Sequence, residues 1–301
     1  FRPASSPTAS TGSGDRTIFT WLSGATEAFT VGNTDITHDL LGVDPLDDAT
    51  RGLVIEVVRG KENPDDYYNR LGDIFHFDPK IMLPPLEVDY LFNPSFEDFY
   101  NAYKDRPEVL LVGANDGMFH CFETETGREL WAFIPPTVLG GLQQIGLNTD
   151  HDYYVDGQAI IQDIQVDNLG NQYDYETFAV FGQGMGGESY FGMNLSDPTT
   201  PEVKWQIGTE TLNNPNLNQT VLKTAAGTSV LSAYRLFGKT IDLSSCGPVK
   251  YKASVGDPPT WVVALSGGYD VDDTTPVDAG GNRQGKSLFI LDADSGSVLK
   301  M

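Results

Sequence analysis

Basic residues, cysteines and long apolar runs are all scarce in this sequence, and each scarcity excludes something. Only 19 Lys and Arg stand against 42 Asp and Glu, a net charge of −23. A surface of that sign repels phosphate backbones, which excludes nucleic acid as a partner and favours divalent cations. No apolar run approaches the roughly 18 residues of a membrane-spanning helix, so no helical span is predicted. The two cysteines, Cys121 and Cys246, cannot form a disulfide framework. They are either one long-range disulfide, in an oxidising compartment, or two small buried apolar side chains. The four histidines, His38, His76, His120 and His151, lack the close spacing of a metal site, and no nucleophile elbow accompanies them. The first residue is Phe1 and no signal peptide is present, so the chain reads as a processed product or an excised fragment.

What the sequence does have is turn-forming residues: 32 Gly and 18 Pro, with 40% hydrophobic residues to supply a core. The most informative stretch is Val109–Trp131. An apolar run, Val109 to Val112, stops at the turn Asn115-Asp116-Gly117. Alternation resumes through Met118, His120 and Phe122, and a second turn, Glu125-Thr126-Gly127, leads into Glu129-Leu130-Trp131. That is strand, tight turn, strand, tight turn, strand, the unit of a β-propeller blade. The pattern recurs at 189–205, closed by Trp205, and at 287–301, where the chain stops as a closing strand would continue. The spacing exceeds the roughly 40 to 50 residues of ordinary propeller repeats, so long inter-strand insertions are expected. Trp131 and Trp205 are expected to close blades by packing.

Elsewhere, residues 1–16 read as a flexible tail rich in Ser, Gly and Pro, and residues 17–301 as the propeller-like domain. Residues 35–60 predict a helical patch, with a strand competing over the β-branched run Val54 to Val58. Residues 71–85 predict a strand broken by Pro79. Ser95 to Arg106 predicts a helix, capped by Ser95 and packed outside the first blade. The run Gly182-Gln183-Gly184-Met185-Gly186-Gly187 imitates a dinucleotide loop. The next residues, from Ser189 to Met193, read as a strand rather than a phosphate-facing helix, so the run is assigned as a tight turn between blade strands.

One segment offers metal chemistry from first principles. Asp270, Asp272, Thr274 and Asp278 place oxygen atoms at alternate and near-alternate positions, and calcium takes six to eight oxygens at about 2.3 to 2.6 Å. The other reading is an exposed acidic hairpin loop. A weaker acidic cluster comprises Asp44, Asp47 and Asp48.

Several ordered blocks resemble the C-terminal domain of the PilC/PilY family of type IV pilus tip proteins. They are Leu71-Gly72-Asp73-Ile74 with His76 and Pro79; Val112 to Met118 with His120; Gly127, Glu129 and Phe133-Ile134-Pro135; His151 with Tyr154-Val155-Asp156-Gly157; Phe181 to Gly187; and Tyr190-Phe191 with Ser196-Asp197-Pro198. The resemblance implies an all-β, modified β-propeller with quinoprotein-like blades and one or two peripheral helices. It implies an extracellular protein, exported through the periplasm, at the pilus tip. There it would support pilus assembly, adhesion and twitching motility, with minor pilins and a surface or host-cell ligand as partners. His76, His120 and His151 would serve in buried hydrogen bonding within blades. His120-Cys121-Phe122-Glu123 departs from the family's usual His-Ala-Phe-Asp. The family's propeller normally continues past residue 301, and its calcium loop lies near or beyond that point. The truncated last repeat implies completion by another chain or by further sequence. A structural scaffold and a quinoprotein-type dehydrogenase stand as alternatives; the second would need neighbouring cysteines, a quinone-stacking Trp and a calcium-bound Asp.

Overall fold

The protein's structure, a computed structural model, describes residues 16–63, 66–67, 71–92, 94–147, 151–166, 175–209, 220–224, 227–230, 239–240, 249–251, 260–269 and 288–300. The expected tail, apart from Arg16, lies outside the described residues, as do Cys246 and the acidic segment 270–278.

The chain opens with a hairpin, β1 (Ile18–Leu22) and β2 (Ala25–Ala28), turned at Ser23-Gly24. Helices α1 (His38–Leu41) and α2 (Asp48–Val58) follow. The β-branched run is thus helical, and the reason is local. The Asp47 side chain accepts from the Thr50 amide at 2.9 Å and from its hydroxyl, fixing the first turn. Val54, Ile55 and Val58 then fall on one buried face. Asp44 and Asp48 are also locally committed, to the Leu46 amide and to His38. A small hairpin, β3 (Lys61–Asn63) with β4 (Asp66–Tyr67), precedes the first blade.

That blade comprises β5 (Lys80–Met82), β6 (Val109–Gly113), β7 (Phe119–Glu123) and β8 (Glu129–Phe133), each antiparallel to the next. Only three residues of the expected 71–85 strand pair, and Pro79 precedes the strand instead of breaking it. The β1–β2 hairpin extends the blade, with β1 parallel to β8. The long connection from β5 to β6 carries α3 (Glu87–Phe92) and α4 (Glu97–Tyr103). The predicted helix is real but shorter, and its entry is a 3-10 turn, Pro94–Phe96, without a side-chain cap. Its aromatic face does not lie on the first blade. Phe96 and Phe99 pack against Tyr175 of the second, because Tyr175 completes an aromatic cluster there.

A 3-10 helix, Pro136–Gly141, and α5 (Leu142–Leu147) lead to the second blade. It consists of β9 (Ala159–Gln165), β10 (Tyr175–Gly182), β11 (Ser189–Asn194) and β12 (Glu202–Thr209), extended outward by β13 (Thr220–Thr224) and β14 (Gly227–Val230). The third comprises β15 (Val249–Tyr251), β16 (Thr260–Ser266), β17 (Leu288–Asp292) and β18 (Val298–Lys300). In the last repeat the closing strand is represented by the three residues of β18, paired to β17 through Ile290 and Leu291.

The blades stack face to face on aromatic layers. Between the first and second, Phe119 stacks on Phe181 at 4.2 Å, and Phe133 meets Phe191 edge-on at 5.6 Å. Between the second and third, Phe178, Tyr190 and Trp205 meet Val263, Leu265, Phe289 and Leu291. The tryptophans do more than pack. Trp131 donates its indole N–H to the Pro198 carbonyl in the β11–β12 turn of the next blade at 2.7 Å, and Trp205 donates to Ala293 in the β17–β18 turn at 2.9 Å. Cys121 is a free, fully buried thiol in the first interface, its pKa pushed up mainly by burial. Lys204 ties Glu176 to Asp294 across the second interface.

Candidate functional site

Strand direction collects the motif residues at one rim. The β6–β7 and β10–β11 turns, the segment entering β5 and the connection entering β9 all leave the sheets at the same end, here the upper rim. The turns that receive the tryptophans lie at the lower rim.

On the upper rim, residues 71–78 and 151–158 are laced onto the blades by side chains. Asp116 accepts from the Gly72 amide at 2.9 Å. The Asn115 amide group donates to Asp73 at 2.9 Å, and its oxygen accepts from the Tyr154 amide at 3.1 Å. His151 Nε2 meets the same Asp73 at 2.9 Å. Asp156 is buried and accepts from the His76 backbone at 3.0 Å, while its other oxygen lies 2.5 Å from His76 Nδ1. Gln158 closes the lattice by donating to the His76 carbonyl at 2.5 Å.

The glycine run supplies the floor. It is the β10–β11 turn, and a strand comes after it, as the sequence predicted. Of Gly182, Gly184, Gly186 and Gly187, only Gly184 has positive φ. The others serve close approach: a Cβ on Gly186 would lie 2.0 Å from the Tyr154 carbonyl oxygen. Thr240 then caps the turn, its hydroxyl accepting from the Gly184 amide at 3.0 Å. The neighbouring Lys239 exchanges two backbone hydrogen bonds with Tyr269, the described residue immediately before the acidic segment 270–278.

Beneath the rim lies a buried charge network. His120 is fully buried on β7, with Nδ1 2.8 Å from Glu129 and Nε2 3.1 Å from Asp116. Both ring nitrogens face carboxylate oxygens, which requires the imidazolium. Burial alone would lower the His120 pKa and is the largest single effect. The two carboxylates together outweigh it and raise the pKa to about 9. Glu129 shows the converse: burial raises it, but Arg16 and His120 together bring it down to about 2. Arg16 grips Glu129 with two hydrogen bonds, 2.6 and 2.7 Å, so the start of β1 is locked to the blade through charge.

Only His120 thus fulfils the expected buried role. His76 and His151 are half-exposed and bind between loops, because their carboxylate partners sit on neighbouring rim segments. The sequence reading also missed an aromatic patch. Phe75, 64% exposed, meets the His76 ring at 4.5 Å and Tyr153 at 5.8 Å, and Tyr153 continues towards His151 at 6.2 Å. An aromatic beside a histidine in a loop flanked by Asp73 and Asp78 was the available signal. Chemically, the patch offers ring faces and histidine nitrogens to a ligand. Among the described residues no three His, Cys, Asp or Glu side chains converge on a metal position, and no helix is long and apolar enough to cross a membrane.

Blades joined by tryptophan-to-turn contacts, with their motif residues gathered on one rim, define a β-propeller module. The profile of the PilY1 beta-propeller domain matches residues 71–234, more than half of the chain. The chain belongs to that family. The type IV pilus biogenesis factor PilY1 of Pseudomonas aeruginosa strain UCBPP-PA14 is 30% identical over 169 residues, 52% of this chain and 14% of that protein. A PilY1 homolog of Xylella fastidiosa strain Temecula1 is 27% identical over 227 residues, 73% of this chain and again 14% of the relative. The chain thus matches a small part of the length of these relatives. The solved Pseudomonas aeruginosa PilY1 C-terminal domain aligns over 72% of this chain and 35% of its own, at 23% identity and a TM-score of 0.43. The third blade lies beyond the stretch that the family profile matches.

Proposed function

We propose that this chain is the propeller module of a type IV pilus biogenesis factor, working at the cell surface by binding and docking, without catalysis. Membership of the PilY1 beta-propeller family carries this reading. The arrangement of the upper rim supports it further: buried carboxylates, glycine contacts and the Thr240 cap hold the loops rigidly, while Phe75 and the two histidines face solvent. A rigid scaffold presenting aromatic loops suits recognition of a surface or host-cell ligand. Pilus components, minor pilins among them, would occupy another face.

The test is the replacement of Phe75 and Tyr153 by serine in the bacterium that makes the protein. Expected is a loss of surface adhesion of at least tenfold, with piliation and the melting temperature of the purified protein unchanged. If adhesion survives while piliation fails, the chain is a scaffold of assembly and not the adhesive surface.

Calcium belongs to the same proposal through Asp270, Asp272, Thr274 and Asp278. Titration calorimetry on the wild type is expected to give a saturable, micromolar calcium heat that Asp270→Ala with Asp272→Ala abolishes. A heat indifferent to the double substitution would leave that segment as solvated acidic surface.

A further inference from the structure

The chemistry of the ligand that the upper rim suits follows from its charge and from the spacing of its rings. Segments 71–78, 113–118, 151–158 and 182–188 build that rim, and they contain six carboxylates and no Lys or Arg. The six are Asp73, Asp78, Asp116, Asp152, Asp156 and Glu188. Asp116 and Asp156 are engaged within the rim, with His120 and His76. Asp73, Asp78 and Asp152 are exposed. Arg70 and Asp150, at the borders of two segments, lie outside the described residues. Lys80 on β5 is held 2.9 Å from Asp78.

These carboxylates fringe apolar surface. Leu71, Ile74 and Phe75 are exposed, and Tyr153 is half-buried beside Phe75. Exposed apolar groups on loops fixed by buried hydrogen bonds mark a recognition surface. A field of this sign repels anionic ligands, does nothing for a neutral sugar and attracts a cation.

The rings decide which cation. The centroids of Phe75, His76 and Tyr153 stand 4.5, 5.6 and 5.8 Å apart. Rings that close touch one another, so no ammonium group fits between them as it does in an aromatic cage. They offer a platform instead, with His76 and Tyr153 inclined by only 39°. A flat guanidinium stacks on such a surface while its N–H groups reach a carboxylate; a compact, strongly hydrated ammonium gains less. Carboxylates stand at the platform's edge. Asp152 precedes Tyr153 and accepts from its amide, and Asp73 adjoins through His151, 2.9 Å away.

We propose that the upper rim binds an arginine-bearing basic segment of a partner protein. The guanidinium stacks on Phe75 and Tyr153, and Asp73 and Asp152 supply the counter-charge. This inference rests on the binding role proposed above for the rim and adds the chemistry of the partner.

Titration calorimetry of the purified protein with tri-arginine tests it, with tri-lysine, tri-glutamate and maltotriose as comparisons. Expected is saturable binding of tri-arginine, about threefold tighter than tri-lysine, and no heat from the other two. Phe75→Ser with Tyr153→Ser should weaken tri-arginine about tenfold, the sum of two exposed ring contacts, with an unchanged melting temperature. Asp152→Asn should weaken it about threefold, as loss of one exposed charge does. Tri-arginine binding indifferent to the ring substitutions is attraction to the acidic surface at large and overturns the proposal. So does the absence of any tri-arginine heat, or ring-dependent binding of tri-glutamate or maltotriose. If the same ring variant then loses adhesion in the bacterium, the rim remains a binding surface for another ligand. Retained adhesion alongside ring-dependent tri-arginine binding upholds the peptide site and removes its adhesive role.

Discussion

His120→Leu is expected to destabilise the protein by about 3–5 kcal/mol, as removal of one partner from a buried ionic network does. Leucine fills the space, so the loss would come from charge. Asp116 and Glu129 would lose the cation between them, and of the two only Glu129 is hydrogen-bonded by Arg16. The pH dependence separates this from a packing defect. The folded pKa of His120 rises from 6.5 to about 9, so its stabilisation is full below pH 6.5 and fades as pH rises through 9. The folded pKa of Glu129 falls from 4.5 to about 2, so its contribution is full above pH 4.5 and fades as pH falls through 2. Stability from this network is therefore greatest between pH 4.5 and 6.5. Urea denaturation from pH 4 to 9 should show an alkaline decline in the wild type that His120→Leu lacks. An identical decline in both would mean that His120 is not the group titrating.

Trp205→Ala is expected to cost about 3–5 kcal/mol, the usual range for emptying a buried tryptophan site. Its consequence should be regional. Trp205 fills the space over Gly296 and bonds the Ala293 carbonyl, so its removal loosens the third blade while the Phe119–Phe181 and Phe133–Phe191 layers of the first interface stay intact. The measurement is limited proteolysis alongside thermal melting, with early cleavage in 249–300 and an earlier first transition. Trp205→Phe keeps most of the ring but cannot donate, and should lose about 1–2 kcal/mol through the orphaned carbonyl. Uniform cleavage along the variant chain would show that the blades do not separate at this contact.

Much of the fold was legible because blade strands alternate with a period of two and their turns carry Asn, Asp and Gly. The repeat at 109–131 holds β6, β7 and β8 of the first blade, and those at 189–205 and 287–301 hold β11–β12 and β17–β18. The inner strands were not legible. β5 pairs only three residues, and the β15 segment carries no alternation long enough to register. The position of α4 was misjudged because its aromatic spacing announces a buried face without naming the surface that buries it. Tyr175, its partner, lies more than seventy residues further along the chain.

The histidines divide on the same line. The sequence by itself determined that His120 lies in an alternating strand, and that Asn115, Asp116 and Gly117 form the turn before it, because those are local properties of a few residues. It also determined membership of the propeller family and the sign of the surface charge. Only the tertiary structure decided that His120 is shared by Asp116 and Glu129, and that His76 meets Asp156 eighty residues away. The direction in which each tryptophan reaches was settled there too. Those pairings depend on which rim a loop leaves from and which blade lies beside it. Strand direction and stacking set both, and neither is written into any local run of residues.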